Sequence, residues 1–143
     1  MCGIVGIYDL TASTPQEQLL ATATAMADTV AHRGPDDAGV WADERAGLAL
    51  GHRRLAIRDL SPTGHQPMVS SCGRYVIVYN GEIYSQDAIV RDLGARARTL
   101  RGHSDTEVLL EACAAWGVEA TVHRLIGMFA FALVDRLTGR LTL

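Results

Sequence analysis

The chain has 143 residues, 48% apolar and 20% charged, and its net charge is −3. This length fits one domain, and the composition excludes disorder along the whole chain. The slightly acidic charge gives no electrostatic reason to expect nucleic acid. No apolar run approaches the roughly 20 residues that span a bilayer, and no secretory signal pattern opens the chain. We therefore expect a cytoplasmic protein without a membrane partner.

The three cysteines, Cys2, Cys72 and Cys113, are odd in number and widely spaced. This spacing fits neither a disulfide framework nor a metal-binding cysteine pair. The five histidines show no metal-ligand spacing, and no glycine-rich phosphate loop is present. The sequence therefore predicts no metal site and no nucleotide cofactor in this chain.

The first half of the chain predicts a strand, a helix and further strands. Residues 2–8 are apolar and β-branched, which is typical of a buried strand. Thr14 and Glu17 have the spacing of a capping box that opens a helix. The dense turn signals of 32–39 follow it, and then strands are expected over 47–55 and 56–60, with a loop over 61–67.

The second half predicts a long strand, three helices and a closing hairpin. The strand over 74–84 contains Asn80-Gly81, a pair that also forms type I′ hairpin turns. Helices are expected after Ser85 and Ser104, each serving as an N-cap, with Glu107 completing a second capping box. The remaining predictions are a helix over 118–125 and strands over 127–134 and 140–143. Together these elements indicate an α+β fold with layered sheets.

Cys2 is the first candidate for chemistry. If Met1 is removed, the chain begins with a cysteine whose α-amine, with a pKa near ~7.7–8.0, can act as base for its own thiol. The alternative is a small buried thiol at the start of a core strand. For Cys2 taken alone, this structural alternative is the better supported.

Asn80 and Gly81 are the second candidate. An acyl-transfer site needs donors directed at the developing oxyanion, and an Asn amide with an adjacent backbone N–H supplies two. The alternative is the hairpin turn.

Arg54 and Asp105 are the third candidate. They are the natural partners of the α-carboxylate and α-ammonium of a free amino acid. The alternatives are a solvated arginine on an edge strand and an aspartate that complements a helix dipole. Nothing in the spacing pairs the two residues.

Six sequence blocks together carry a family resemblance. They are MCGIVGI (1–7), HRGPD (32–36), GHRRLAIRDLSPTGHQPM (51–68), YNGEIY (79–84), GHSDTE (102–107) and LIGMFAF (125–131). The chain resembles the glutaminase domain, a class II glutamine amidotransferase, of the glutamine-hydrolysing asparagine synthetases. The blocks follow the family's order over essentially the whole chain.

The resemblance implies a four-layer αββα sandwich of the N-terminal nucleophile hydrolase type, incomplete at its C-terminal end. Residues 1–143 would be a C-terminally truncated glutaminase domain without the synthetase domain. It implies no cofactor in this chain, with ATP and Mg²⁺ belonging only to the missing synthetase domain. That domain would act in cis or in trans, and the resemblance also suggests a homodimer.

The resemblance also implies roles for individual residues. After Met1 removal, Cys2 would attack the glutamine side-chain amide, with its own α-amine moving the proton. The other roles would be an oxyanion hole from Asn80 and Gly81, α-carboxylate binding by Arg54, α-amine binding by Asp105 with Glu82, and pocket lining by Leu55, Ala56, Ile57 and Arg58.

The expected reaction is hydrolysis of glutamine to glutamate and ammonia through a γ-glutamyl thioester. In the full-length enzyme the ammonia would serve ATP-dependent amidation of aspartate to asparagine. Two alternatives stay open: a non-catalytic truncated remnant, and an amidotransferase that serves another acceptor.

Overall fold

The computed structural model describes residues 1–57 and 61–143 of the chain. Three short 3-10 turns, Ala31–Arg33, Pro62–Gly64 and Gly94–Thr99, interrupt the connections. The helices and strands, in chain order, are β1 (Gly3–Tyr8), α1 (Gln16–Thr29), β2 (Asp37–Asp43), β3 (Leu48–Arg54), β4 (Met68–Val69), β5 (Tyr75–Ile83), α2 (Gln86–Leu93), α3 (Asp105–Trp116), α4 (Val118–Val122), β6 (Gly127–Asp135) and β7 (Arg140–Thr142).

The strands form two antiparallel sheets. Sheet A has the order β1-β3-β2, and sheet B has the order β4-β5-β6-β7. In sheet A, β3 is the central strand, with Gly3 opposite Arg53 on one side and Asp37 opposite Arg54 on the other. The long ladder of sheet B runs from the pair Tyr75–Asp135 to the pair Ile83–Gly127. The expected mixture of helices and layered antiparallel sheets is confirmed at this level.

Three apolar clusters hold these elements together. Helix α1 packs on the outer face of sheet A through Leu19, Ala23 and Ala49. On the outer face of sheet B, residues such as Ile77 and Leu109 join the sheet to α2 and α3. The two sheets face each other through an inter-sheet core formed by Leu48, Leu50, Val76, Val78, Ala132 and Val134.

The alternation of side chains along β3 and β5 decides where the inter-sheet core ends. Successive residues of a strand point to opposite faces, so every second residue shares one face. On β3 the inward face changes from Leu48 and Leu50 to His52 and Arg54. On β5 the corresponding series Val76 and Val78 is followed by Asn80 and Glu82. One end of the sandwich is therefore polar on both inner faces.

The hairpin-turn interpretation of Asn80-Gly81 is wrong. Strand β5 continues through the pair, with Asn80 opposite Ala130 and Gly81 opposite Phe129. A Cβ on Gly81 would overlap the carbonyl oxygen of Met128, so close approach of β6 requires glycine here. The Asn-Gly signal was local, whereas the pairing with β6 joins residues far apart in the chain.

The strand predictions around sheet A need three further corrections. Strand β1 lies at a sheet edge, and Tyr8 is half exposed, so residues 2–8 are not wholly buried. Strand β2 begins at Asp37, inside the segment predicted as a turn over 32–39. Residues 56 and 57 follow the end of β3 and are not strand, and the rest of the predicted strand over 56–60 lies outside the described residues.

The capping box at Thr14 and Glu17 is also wrong, because Asp9 engages Thr14 first. Helix α1 begins at Gln16 without a side-chain cap, and the Thr14 hydroxyl donates to the Asp9 carboxylate at 2.7 Å. Hydrogen bonds from Thr11 and Thr14 hold the pKa of Asp9 well below its usual range. Asp9 thus organises the polar turn before the helix instead of leaving Thr14 to cap it.

The serine caps differ in their outcome. Ser104 caps α3, its hydroxyl accepting from the Thr106 N–H, as expected. Glu107 does not close a capping box, since its buried carboxylate accepts from the N–H groups of Arg101 and Gly102. Ser85 does not cap α2, because its hydroxyl accepts a hydrogen bond from the Ile126 N–H instead.

Among the described residues the longest helix is α1, with 14 residues, whereas spanning a bilayer takes about 20. Among the helices in residues 1–57 and 61–143, none combines the length and apolar character needed to cross a membrane.

His52 is a buried histidine between the sheets whose protonation opposes folding. Its Nε2 donates to the Tyr79 carbonyl at 3.0 Å, and its buried Nδ1 has no partner among the described residues. Burial lowers the pKa of His52 from 6.5 to about 4, an effect that outweighs the favourable charge of Asp37. The folded state therefore resists a proton that the unfolded state accepts below pH 6.5.

We predict that the free energy of unfolding keeps its full value above pH 6.5 and falls as the pH drops towards about 4. The difference in the pKa of His52 between the folded and unfolded states lowers the free energy of unfolding by about 3 kcal/mol over this pH range. His52→Gln keeps an N–H donor but cannot titrate, so its free energy of unfolding should lack this component. Denaturant unfolding between pH 7 and pH 4 measures the difference. Parallel pH profiles for the parent and the variant would contradict the assignment.

Candidate active site

A cavity of about 270 Å³ lies at the polar end of the inter-sheet core. It is lined by Met1, Cys2, Arg54, Leu55, Ala56, Ile57, Gly64, Gln66, Tyr79, Asn80, Gly81, Glu82, Ser104, Asp105, Thr106 and Met128. The cavity size matches a small ligand rather than a polymer.

Cys2 lies at the cavity wall beside the end of β3. It precedes β1 on the same face as Ile4, which packs against the inter-sheet core. Its Sγ accepts from the Leu55 N–H at 3.3 Å, and Arg33 Nε donates to the Cys2 carbonyl at 3.1 Å. The thiol is half-buried and held in place from two elements, unlike a thiol that merely fills a core.

The other two cysteines lie away from this cavity. Cys72 is exposed in the loop before β5, where a hydrogen bond with Ser70 lowers the pKa of its thiol. Cys113 is buried on α3, and desolvation raises the pKa of its thiol to about 11. Only Cys2 combines access to the cavity with fixed neighbours.

Asn80 and Gly81 continue β5 into the cavity, and the preceding peptide is held by side chains. The Tyr79 N–H donates to Gln66 Oε1 at 2.6 Å, and its carbonyl accepts from His52 Nε2 at 3.0 Å. Strand β4 pairs with β5 only as far as Ile77, so Gln66 takes over where the ladder stops. The donors of Asn80 and Gly81 therefore sit on a rigid strand segment.

Arg54 is buried at the end of the central strand β3, which excludes the solvated edge-strand interpretation. Its Nη1 donates to the Ser61 carbonyl at 2.9 Å. The guanidinium lies directly against Gly64, where a Cβ would overlap it. Gly64 in the 3-10 turn Pro62–Gly64 and Ser61, which caps this turn, thus determine the direction of the guanidinium.

The residues after Arg54 form one wall of the cavity. Leu55, Ala56 and Ile57 line it, and the Ala56 N–H donates to Asp36 Oδ2 at 2.8 Å. The prediction for Arg58 falls on a residue outside the described ranges.

Asp105, the first residue of α3, forms the opposite wall. Its Oδ2 accepts from the Tyr79 hydroxyl and from the Ile83 N–H, each at 3.1 Å. The side chain is 8% exposed and faces the cavity, so it does more than complement the helix dipole. Glu82 lies on the same cavity rim.

The structure thus brings the predicted residues of the described ranges into one cavity. Sequence reasoning missed Gly64, Gln66 and Tyr79, which support this cavity from behind. The segment SPTGHQP (61–67) was predicted as a loop and counted in the family block over 51–68, but neither its glycine nor its glutamine was assigned a role at the cavity that both line. Their signal was their position inside a motif rather than any chemistry of their own.

The arrangement suits a free amino acid that carries a side-chain carbonyl. A guanidinium and a carboxylate can bind an α-carboxylate and an α-ammonium, while a thiol stands beside amide donors. Within residues 1–57 and 61–143, no group of three or more His, Cys, Asp or Glu side chains is placed to hold a metal ion.

Comparison with known proteins gives relatives along nearly the whole chain. Asparagine synthetase [glutamine-hydrolyzing] 3 of Bacillus subtilis is 40% identical over 137 residues, covering 94% of this chain and 21% of that protein. Asparagine synthetase B of Escherichia coli is 38% identical, covering 94% and 23%. Amidase chry2 of Gibberella zeae is 39% identical over 108 residues, covering 76% and 16%. The chain spans about a fifth of the length of these curated relatives.

The sequence pattern described as "Glutamine amidotransferase domain" matches residues 1–143. This match agrees with a cavity built from a thiol, a guanidinium, a carboxylate and amide donors. The chain therefore belongs to the glutamine amidotransferase domain family, and it is homologous to the N-terminal part of glutamine-hydrolysing asparagine synthetases.

Proposed function

We propose that the chain hydrolyses glutamine to glutamate and ammonia, with Cys2 as the nucleophile. The observation that carries the proposal is the convergence of Cys2, Arg54 and Asp105 on one small cavity. The three residues belong to different elements, so a merely structural role for each would not require them to meet. The names of the related asparagine synthetases, which include glutamine hydrolysis, add to this support.

In this proposal Met1 is removed, and the free α-amine of Cys2 accepts the thiol proton. The sulfur attacks the side-chain carbonyl carbon of glutamine, and the negative charge develops on its oxygen. The Asn80 amide and the Gly81 N–H donate to that oxygen. Collapse of the tetrahedral intermediate breaks the C–N bond, and the α-amine returns the proton to the leaving ammonia. Water, losing its proton to the same amine, then hydrolyses the γ-glutamyl thioester.

The remaining groups hold the amino-acid end of the substrate. Arg54 binds the α-carboxylate, and Asp105 with Glu82 binds the α-ammonium. Leu55, Ala56 and Ile57 form the wall beside the side chain, and Arg58 is assigned to the same wall by family resemblance.

The corresponding fold proposal is the four-layer αββα sandwich of N-terminal nucleophile hydrolases. Its support is the packing of α1 on the outer face of sheet A and of α2 and α3 on the outer face of sheet B. In such a sandwich, the thiol at the start of β1 lies at the end of the two inner layers.

The ammonia acceptor proposed here is an aspartate that a synthetase domain activates with ATP and Mg²⁺, in cis or in trans. The names of the asparagine synthetases support this acceptor. The chain is also similar to a protein that is named an amidase rather than a synthetase, and the second candidate is therefore an amidotransferase that serves another acceptor.

We predict that Cys2→Ala abolishes ammonia release from glutamine in the Met1-processed chain, a loss of more than about a thousandfold in kcat. Cys72→Ala is the matched control, because that thiol is exposed and lies outside the cavity. A coupled ammonia assay measures the rates, and circular dichroism checks that both variants fold. Retention of the parent rate by a folded Cys2→Ala chain would overturn the proposed nucleophile.

Gly64 should affect binding of the substrate α-carboxylate through Arg54. The three atoms nearest to a Cβ at this position all belong to the flexible end of the Arg54 side chain, so Gly64→Ala should fold and displace the guanidinium. We expect KM for glutamine to rise about tenfold or more, with a smaller change in kcat, because a charge-assisted interaction is lost.

Steady-state kinetics of Gly64→Ala beside Gly6→Ala test this expectation. Gly6 is an exposed residue of β1 that does not line the cavity, and a Cβ there would lie 3.3 Å from Leu50 Cδ2 of the inter-sheet core, so its variant controls for adding a methyl group elsewhere in sheet A. An unchanged KM in the Gly64 variant would show that the guanidinium position is not set by this contact.

A further inference from the structure

The Tyr79 side chain is buried on the helix-facing side of β5, while its neighbour Asn80 faces the cavity. Tyr79 is 2% exposed, and its ring belongs to the apolar cluster between sheet B and the helices. From that position its hydroxyl reaches Asp105 Oδ2 at 3.1 Å. Tyr79 therefore belongs to the strand that carries the amide donors, and its hydroxyl contacts the carboxylate on α3.

The backbone of Tyr79 is held as firmly as its ring. Gln66 Oε1 accepts from its N–H at 2.6 Å, and Gln66 Nε2 donates to Thr106 Oγ1 at 3.2 Å. His52 donates to its carbonyl. Because Gln66 bonds both β5 and α3, the strand and the first turn of the helix are fixed relative to each other. The hydroxyl is thus presented to Asp105 from a rigid support.

The two oxygens of Asp105 have different environments. Oδ2 is occupied by the Tyr79 hydroxyl and the Ile83 N–H. Oδ1 has no hydrogen-bond partner within residues 1–57 and 61–143. It is not fully buried, so part of its surface is accessible. Since Asp105 lines the cavity, Oδ1 is the oxygen that remains open to a ligand.

We propose that Tyr79 is a positioning residue for substrate recognition: its hydroxyl fixes the Asp105 carboxylate so that Oδ1 meets the α-ammonium of the bound amino acid. This inference rests on the proposed glutamine site and deepens it. Without the hydroxyl, the Ile83 N–H alone holds Oδ2, and the carboxylate can rotate away from the ligand. Discrimination between an amino acid and the same molecule without its α-amine then falls.

The test measures binding in a Cys2→Ala background, so that turnover does not interfere. The two probes are L-glutamine and glutaramate, which is glutamine without its α-amine. Tyr79→Phe should weaken glutamine binding about five- to tenfold, the scale of one hydrogen bond to a charged group, and leave glutaramate binding unchanged. Isothermal titration calorimetry measures both affinities.

Tyr75→Phe is the matched control. Tyr75 lies on the same strand and face and is similarly buried, but its hydroxyl does not contact Asp105. This variant should change neither affinity. Incorporation of 4-fluorophenylalanine at position 79 fills the hydroxyl space without donating, and it gives the same readout should the phenylalanine chain not fold.

The outcomes separate the inference from the function on which it rests. Equal glutamine affinity with and without the hydroxyl overturns the positioning role while the glutamine site stands. Equal weakening of both probes also overturns it, because a shape defect does not depend on the amine. If the Cys2→Ala parent binds neither probe, the proposed glutamine site is wrong and the inference falls with it.

Discussion

The apolar contact between the two sheets is the constraint on which the rest of the structure depends. Leu48 and Leu50 from β3 meet Val76 and Val78 from β5, and all four are essentially inaccessible to water. Each such side chain stabilises the fold by about 1.5–3 kcal/mol, against a typical net stability of only about 5–15 kcal/mol. A slip of one residue would turn this face outward, so the register of both strands is strongly specified.

Because the register is specified, the polar residues farther along the same faces have no freedom of placement. Arg54 must face inward beyond Leu50, and Asn80 must face inward beyond Val78. The cavity forms where the apolar series stops, and Cys2 enters it from the edge strand β1. The site is thus an end of the hydrophobic core, where strands carry Arg54 and Asn80 and a helix carries Asp105.

The sequence predicted most elements, because their hydropathy patterns and turn residues are local. It could not predict which strands pair, so Asn80-Gly81 retained a hairpin alternative that only the ladder with β6 removes. The cap at Thr14 failed for a local reason instead, since the nearby Asp9 carboxylate accepts from its hydroxyl. The site residues came from motif resemblance, whereas Tyr79 and Gly64 act through neighbours on other elements and carry no signature of their own.

Trapping the acyl-enzyme tests the central claim most directly. The chain beginning at Cys2 is mixed with glutamine, quenched in acid within its turnover time, and mapped by peptide mass spectrometry. The account predicts a mass gain of one γ-glutamyl group on the Cys2 peptide, lost on treatment with hydroxylamine, and none on the peptides of Cys72 or Cys113. Steady glutamine hydrolysis with no adduct on Cys2 at any quench time, or an adduct on another residue, would contradict it.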